Sequence, residues 1–73
     1  MNYRIITHDS NAGYKNQTQY NTRRFAENAA EEYLNHHETV YLMREHVLDK
    51  VYDKENPQGR NPYTYEILNL RMK

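Results

Sequence analysis

The order of apolar and polar residues predicts a strand and then a helix in the first half of the chain. Residues 2–8, NYRIITH, alternate so that Tyr3, Ile5 and Thr7 share one side of a strand. Residues 22–37 instead space their apolar residues by three and four, which is typical of a helix packed on one side. The apolar positions of this helix are Phe25, Ala26, Ala29, Ala30, Tyr33 and Leu34.

The segment between these two elements is polar. Residues 9–13, DSNAG, are rich in turn formers. Residues 14–21 alternate but contain no aliphatic residue, so the pattern favours a loop, or a short edge strand at best. Asn21 or Thr22 can then cap the helix, because their side chains accept hydrogen bonds from the first free backbone N–H groups.

Residues 38–56 fit two structures. As a helix, they place most of their apolar residues on one face; as strands, TVYLM is β-branched and aromatic, and VLDKVYD alternates. The strand interpretation is preferred because residues 2–8 need partners for their backbone groups. Residues 55–62, ENPQGRNP, are then the turn-rich tip between two strands.

The last segment, residues 62–73, alternates aromatic and aliphatic residues after Pro62 and is predicted to be a strand. A helix capped by Asn61 is the alternative. The predicted fold is therefore α+β: one domain over 1–73 with β-α-β-β order, in which a three-stranded antiparallel sheet carries one helix on one face. The alternative is a mostly α domain with 39–55 and 62–72 helical.

Composition limits the compartment and the class of ligand. The chain has no cysteine and no apolar run of the roughly 20 residues that a membrane span requires, so we expect a cytoplasmic protein without membrane contact. The formal net charge is zero, whereas binding of duplex DNA requires a basic excess. Positive residues nevertheless concentrate at the two ends of the chain and acidic residues in the middle.

The densest group of potential metal ligands is NHHETVYLMREH, residues 35–46. Its histidines lack the spacing that brings three or four ligands around zinc, and adjacent histidines on a helix point about 100° apart. Ser10 is the only serine, and no glycine-rich phosphate loop is present. We therefore predict no metal site, no catalytic residue, no cofactor and no enzymatic activity.

Tyrosine and arginine are more abundant than so small a core requires. The chain has eight tyrosines and six arginines, and these residue types are enriched where proteins bind one another. This surplus predicts a protein-binding surface. The residues expected to form it are Tyr14, Tyr20, Arg23, Arg24, Arg60, Tyr63 and Tyr65.

In length, in its Asn- and Tyr-rich composition and in its predicted layout, the chain resembles small phage proteins that inhibit host enzymes or defence systems, anti-CRISPR proteins among them. The resemblance implies an inhibitor that occludes a surface of a host enzyme or nucleoprotein complex in the host cytoplasm. Two alternatives stay open. One is a single-stranded nucleic-acid-binding protein that stacks bases on Tyr63 and Tyr65; the other is a structural homodimer that pairs edge strands.

Overall fold

The structure, a computed structural model, describes residues 2–61. Its elements follow the order β-β-α-β-β-β. They are β1 (Tyr3–Asp9), β2 (Gly13–Tyr20), α1 (Arg23–Leu34), β3 (Thr39–Arg44), β4 (Val47–Asp53) and β5 (Asn56–Arg60). The strands form one antiparallel sheet in the order β2-β1-β3-β4-β5, so β1 and β3 lie near its middle. The α+β class agrees with the prediction, but a three-stranded sheet was wrong, since five strands pair.

Two of the five strands come from segments expected to be loops. β2 is a full eight-residue strand, because its backbone pairs with β1 from Tyr3↔Tyr20 to Asp9↔Gly13 even though it lacks aliphatic side chains. β5 lies within the predicted turn-rich tip, with Asp53 Oδ1 accepting a 2.8 Å hydrogen bond from the Asn56 N–H at the turn before it. The predicted strand at 62–73 falls outside the described residues.

Residues 39–55 are not helical, which removes the mostly α alternative for that segment. β3 and β4 form a hairpin through Glu45 and His46, and Glu45 adopts a positive φ of 58°. The pairing shifts register between Leu42↔Lys50 and Met43↔Leu48, so β4 contains a bulge. The helical alternative for 62–72 concerns residues that the structure does not describe.

The helix begins where the sequence predicts and ends earlier. Thr22 is the N-cap, and its side chain accepts a hydrogen bond from the Phe25 N–H. The last helical residue is Leu34, so the predicted end at residue 37 was wrong by three residues. Small side chains at Ala26 and Ala30, both fully buried, let α1 lie close to the sheet.

One layer of side chains between α1 and the sheet forms the core. It consists of Tyr3, Ile5, Ala26, Ala30, Leu34, Val40, Leu42 and Tyr52. Ile5 lies opposite Leu42, and Val40 lies opposite both Thr7 and Tyr52, so these cross-strand neighbours share the face covered by the helix. We call the other face of the sheet the distal face.

The N-terminal half of α1 is held to β4 by charged side chains. Arg23 lies 2.8 Å from Glu27 and 3.2 Å from Asp49, and Lys50 lies 3.2 Å from Glu27. Asp49 and Lys50 are neighbours in sequence, yet both reach the helix because the β4 bulge lies at this point. Arg23 therefore helps to hold the helix on the sheet, although its side chain is partly exposed.

Candidate protein-binding surface

The two edges of the described sheet differ in how well they can pair with another chain. β5 has five residues, including Pro57, which lacks an N–H, and Gly59, which has a φ of 86°. β2 has eight residues, no proline and a single charged side chain, that of Lys15. A bulge interrupts it where Gln17 and Thr18 oppose Ile5. β2 is longer than β5 and contains no proline, so even with this bulge it is the edge better suited to strand addition.

Large exposed aromatic side chains lie on both sides of β2. Tyr14 is 71% exposed on the distal face, and Phe25 is 65% exposed on the flank of α1. A cleft of about 260 Å³ separates α1 from this edge of the sheet, lined by Tyr20, Ala29, Glu32, Tyr33 and His36. We call Tyr14, Tyr20, Phe25, Ala29 and Tyr33, together with the outer edge of β2, the β2 flank.

A hydrogen bond spans the cleft. The Tyr33 hydroxyl lies 3.1 Å from the Thr18 hydroxyl, which connects the helix to the edge strand. Tyr20 and Ala29 also pack against the core. The walls of the cleft are therefore held together by packing on the core and by a hydrogen bond within the protein.

Exposure on the distal face increases towards β2. Val51 of β4 is fully buried, Ile6 and Tyr41 are half-buried, and Tyr14 of β2 is mostly exposed. The ring of Tyr14 lies 4.4 Å from that of His8 and 6.0 Å from that of Tyr41, centroid to centroid. The exposed ring is thus at the edge of a short aromatic row.

The structure does not bring the predicted contact residues into one surface. Tyr14 and Tyr20 lie at opposite ends of β2, and Tyr20 is half-buried beside the helix. Arg23 belongs to the ion pairs with Glu27 and Asp49, and Arg60 lies on the opposite edge strand.

Arg60 forms an ion pair with Asp53, so its charge is balanced within the sheet. Arg24 is exposed and forms no ion pair within residues 2–61, but its helical position turns it away from the sheet and from the cleft. Tyr63 and Tyr65 fall outside the described residues. Of the predicted set, Tyr14 and Tyr20 therefore belong to the β2 flank.

Phe25 is a large exposed side chain whose exposure the sequence did not reveal. Phe25 lies four residues before Ala29 and eight before Tyr33, so the sequence places it on the apolar face of the helix, yet it is mostly exposed. The buried stripe consists of Ala26, Ala30 and Leu34, and Phe25 lies to one side of it. A phenylalanine in the first helical turn, followed by small residues that bring the helix close to the sheet, is the one signal available in the sequence.

The histidines of residues 35–46 occupy separate environments. His36 lines the cleft on the β2 flank, whereas His46 lies in the β3–β4 turn. His37 Nδ1 lies 2.7 Å from Asp9 Oδ2. Within residues 2–61, no group of three or more potential ligands is arranged to hold a metal ion.

His37 is part of a hydrogen-bonded cluster that joins two loops. Asp9 Oδ1 accepts a 2.8 Å hydrogen bond from the Glu38 N–H, and Glu38 Oε2 accepts from the Ser10 N–H at 2.7 Å. The hydrogen bond with His37, followed by that with the Glu38 N–H, lowers the pKa of Asp9. Hydrogen bonds from the Ser10 N–H, and then from the Ser10 hydroxyl, lower the pKa of Glu38. This Asp9–Glu38 cluster is a structural connection between the β1–β2 turn and the loop that enters β3.

Within residues 2–61, these features define a small α+β domain in which β2 is the edge strand better suited to pairing. No known protein family, curated protein sequence or solved structure matches the chain. No helix within residues 2–61 is long and apolar enough to cross a membrane.

Proposed function

We propose that the protein is a non-enzymatic binding module that occludes a surface of a protein partner through the β2 flank. The observation that carries this proposal is the position of Tyr14 and Phe25, two largely exposed aromatic side chains on either side of an edge strand without proline. Exposed aromatic residues beside a fixed cleft supply the apolar contact area on which interface affinity depends.

The mode of binding that fits this surface is addition of a strand from the partner along β2. Main-chain hydrogen bonds to β2 supply affinity, and side chains of the added strand enter the cleft beside Tyr20 and Tyr33. The resemblance to phage inhibitors extends the proposal to the partner, which is then a host enzyme or nucleoprotein complex in the cytoplasm.

The test is capture of a partner from a lysate of the native host, with and without nuclease, by the wild type and by three variants. Tyr14→Asp and Phe25→Asp place a charge on the β2 flank and should abolish capture. Val47→Asp is the matched control, because Val47 is 60% exposed but lies beside the β3–β4 turn. Melting temperatures of all three variants verify that they fold.

The proposal is wrong if the Tyr14 and Phe25 variants capture the same protein as the wild type, or if Val47→Asp loses it equally. Capture that disappears with nuclease supports the second candidate below. Melting that depends on protein concentration, with no captured partner, supports the homodimer.

The second candidate is a single-stranded nucleic-acid-binding protein, and the aromatic row of His8, Tyr14 and Tyr41 favours it. Rings on a sheet surface stack on nucleic-acid bases. Tyr14→Ala should then weaken binding of a single-stranded oligonucleotide, and affinity should fall steeply with salt. Phe25→Asp separates the two candidates, since Phe25 lies on the helix side of the sheet and is not required for stacking on the distal face.

A further inference from the structure

The cleft of the β2 flank carries an unpaired negative charge. Glu32 lines the cleft together with Tyr20, Ala29, Tyr33 and His36. Its side chain is exposed, and within residues 2–61 it takes part in no ion pair. No described lysine or arginine lines the cleft. The Glu32 carboxylate is therefore available to a positive group that a partner supplies.

The helix sets the order of the lining residues from the core outwards. Successive residues of an α-helix lie about 100° apart, so Tyr33, Ala29 and Glu32 follow one another around α1 in steps of about 40° and 60°. Tyr33 lies nearest the buried stripe of the helix and Glu32 farthest from it. Tyr33 and Ala29 are half-buried, whereas Glu32 is exposed. The cleft is thus apolar in its depth and acidic at its mouth.

A long side chain with an apolar stem and a positive end matches this order. Lysine and arginine pack their methylene groups along apolar surface while their charged ends stay in water. A guanidinium also stacks on aromatic rings, and the cleft has one on each side, Tyr20 from β2 and Tyr33 from α1. An acidic side chain would be repelled by Glu32, and an apolar one would gain nothing from its charge.

We infer that the cleft of the β2 flank binds an arginine side chain of the partner. This inference rests on the proposed function, because the arginine belongs to the strand that is added along β2. Its methylene groups pack on Ala29, its guanidinium contacts the tyrosine rings, and its N–H groups donate to Glu32. Alternate side chains of a strand point to the same face. The partner therefore offers an extended segment in which an arginine faces α1.

The experiment measures binding of a single blocked amino acid to the full chain. N-acetylarginine methylamide is compared with N-acetylcitrulline methylamide, which has the same length but no charge. The chain has four alanines, of which Ala29 lines the cleft, so ¹³C labelling of the alanine methyl groups gives a simple NMR readout. Titrations are run at constant ionic strength and at pH 8, above the range in which free histidine is protonated, because a charged His36 would oppose a guanidinium.

We expect the arginine compound to shift the Ala29 methyl resonance to saturation. The citrulline compound should need an at least threefold higher concentration for half-saturation, which is roughly the effect of one exposed ion pair. The methyl resonance of Ala12, in the β1–β2 turn, should not move with either compound.

Two variants assign the charge. Glu32→Gln should remove the preference for arginine over citrulline. Glu31→Gln is the matched control and should keep the preference, because Glu31 is also exposed but lies about 100° around the helix from Glu32. Neither substitution touches the core, and the methyl resonances of the buried Ala26 and Ala30 verify that each variant folds.

Three results would overturn the inference. They are an Ala29 resonance that the arginine compound does not shift to saturation, equal half-saturation concentrations for the two compounds, and the same loss of preference in Glu31→Gln as in Glu32→Gln. A blocked amino acid is too short to add a strand along β2, so this outcome is separate from capture of a protein. Capture that depends on Tyr14 and Phe25 without a preference for arginine refutes this inference alone. A preference for arginine in a chain that captures no protein refutes the proposed function and leaves the arginine site standing.

Discussion

Replacing Tyr52 by phenylalanine is expected to stabilise the protein. The Tyr52 ring is 1% exposed in the core, and its hydroxyl is buried without a hydrogen-bond partner. Leaving a buried polar group unpaired costs about 1–3 kcal/mol. Tyr52→Phe removes the hydroxyl and keeps the ring, so we expect the free energy of unfolding at pH 7 to rise by about 1 kcal/mol.

The same environment makes the effect depend on pH. Burial, followed by the nearby carboxylates of Glu27 and Glu31, raises the pKa of Tyr52 above its ordinary value of 10.0. Above pH 10 the phenol therefore loses its proton in the unfolded chain while keeping it in the folded protein. Unfolding then releases one proton, and stability falls with rising pH by about 1.4 kcal/mol per pH unit. Tyr52→Phe lacks this loss.

The assay is urea unfolding of both proteins by circular dichroism at pH 7, 10 and 11. Between pH 10 and 11 the free energy of unfolding should fall more for the wild type than for Tyr52→Phe. The effects of the other titrating groups are common to both proteins and cancel in this comparison. Tyr33→Phe is the control at pH 7, because its hydroxyl lies 3.1 Å from that of Thr18. Loss of that bond should cost about 0.5 kcal/mol.

Two results would contradict the reasoning. Destabilisation by Tyr52→Phe at pH 7, comparable to or larger than that of Tyr33→Phe, would mean that the Tyr52 hydroxyl is hydrogen-bonded in solution. Parallel stability curves of the wild type and Tyr52→Phe above pH 10 would mean that the phenol ionises equally in the folded and unfolded states.

Three further predictions concern backbone strain and charge. Gly13 has a φ of 76°, which strains any residue with a Cβ, but no atom lies within 4 Å of a Cβ added there. Gly13→Ala should therefore lower the free energy of unfolding by about 1–2 kcal/mol through backbone strain alone. Gly59→Ala should lower the free energy of unfolding by about 1–3 kcal/mol more than Gly13→Ala, since its added Cβ would lie 2.9 Å from the buried Tyr52 ring. Equal losses for the two variants in urea unfolding would refute the clash with Tyr52. Arg23→Ala should lower the free energy of unfolding by about 0.5–1 kcal/mol at low salt and by less at high salt, because it removes two ion pairs. Arg24→Ala should change it little. Chemical denaturation at two salt concentrations measures both variants. Asp9 has a lowered pKa, so the stability it contributes is present above its unfolded pKa of 3.8 and is lost as pH falls through its folded pKa. The difference in melting temperature between wild type and Asp9→Asn should therefore shrink below pH 3.8, and a constant difference would disprove the coupling.

Elements with both a regular pattern and a buried face could be predicted from the sequence. β1 alternates around Ile5, and the helix begins at its Thr22 cap. Residues 38–56 were ambiguous for a physical reason, because the bulge between Leu48 and Lys50 shifts the strand alternation by one residue. That shift produces apolar spacings of three and four, which are also those of a helix.

The strands that were missed have no apolar pattern to find. β2 is polar because most of its side chains are exposed and none is buried, and it is held by backbone pairing with β1. β5 contains Pro57 and Gly59, which normally indicate a loop, yet an edge strand accepts proline and the Tyr52 ring occupies the space beside the glycine. The β2 flank depends on this tertiary pairing, so the sequence alone could not show that Tyr14, Tyr20 and Phe25 lie around the same edge of the sheet.

The strand order also determines how the chain folds. The β1–β2, β3–β4 and β4–β5 pairs are hairpins between consecutive strands, so each forms from residues close in sequence. Among the described strands, only the β1–β3 pair joins segments separated by a strand and a helix. Its closure carries the largest entropic cost, and we expect it to set the folding rate. Substitutions at Ile5 or Leu42, which meet across this pair, should then slow folding, whereas those at Gly59 should mainly accelerate unfolding.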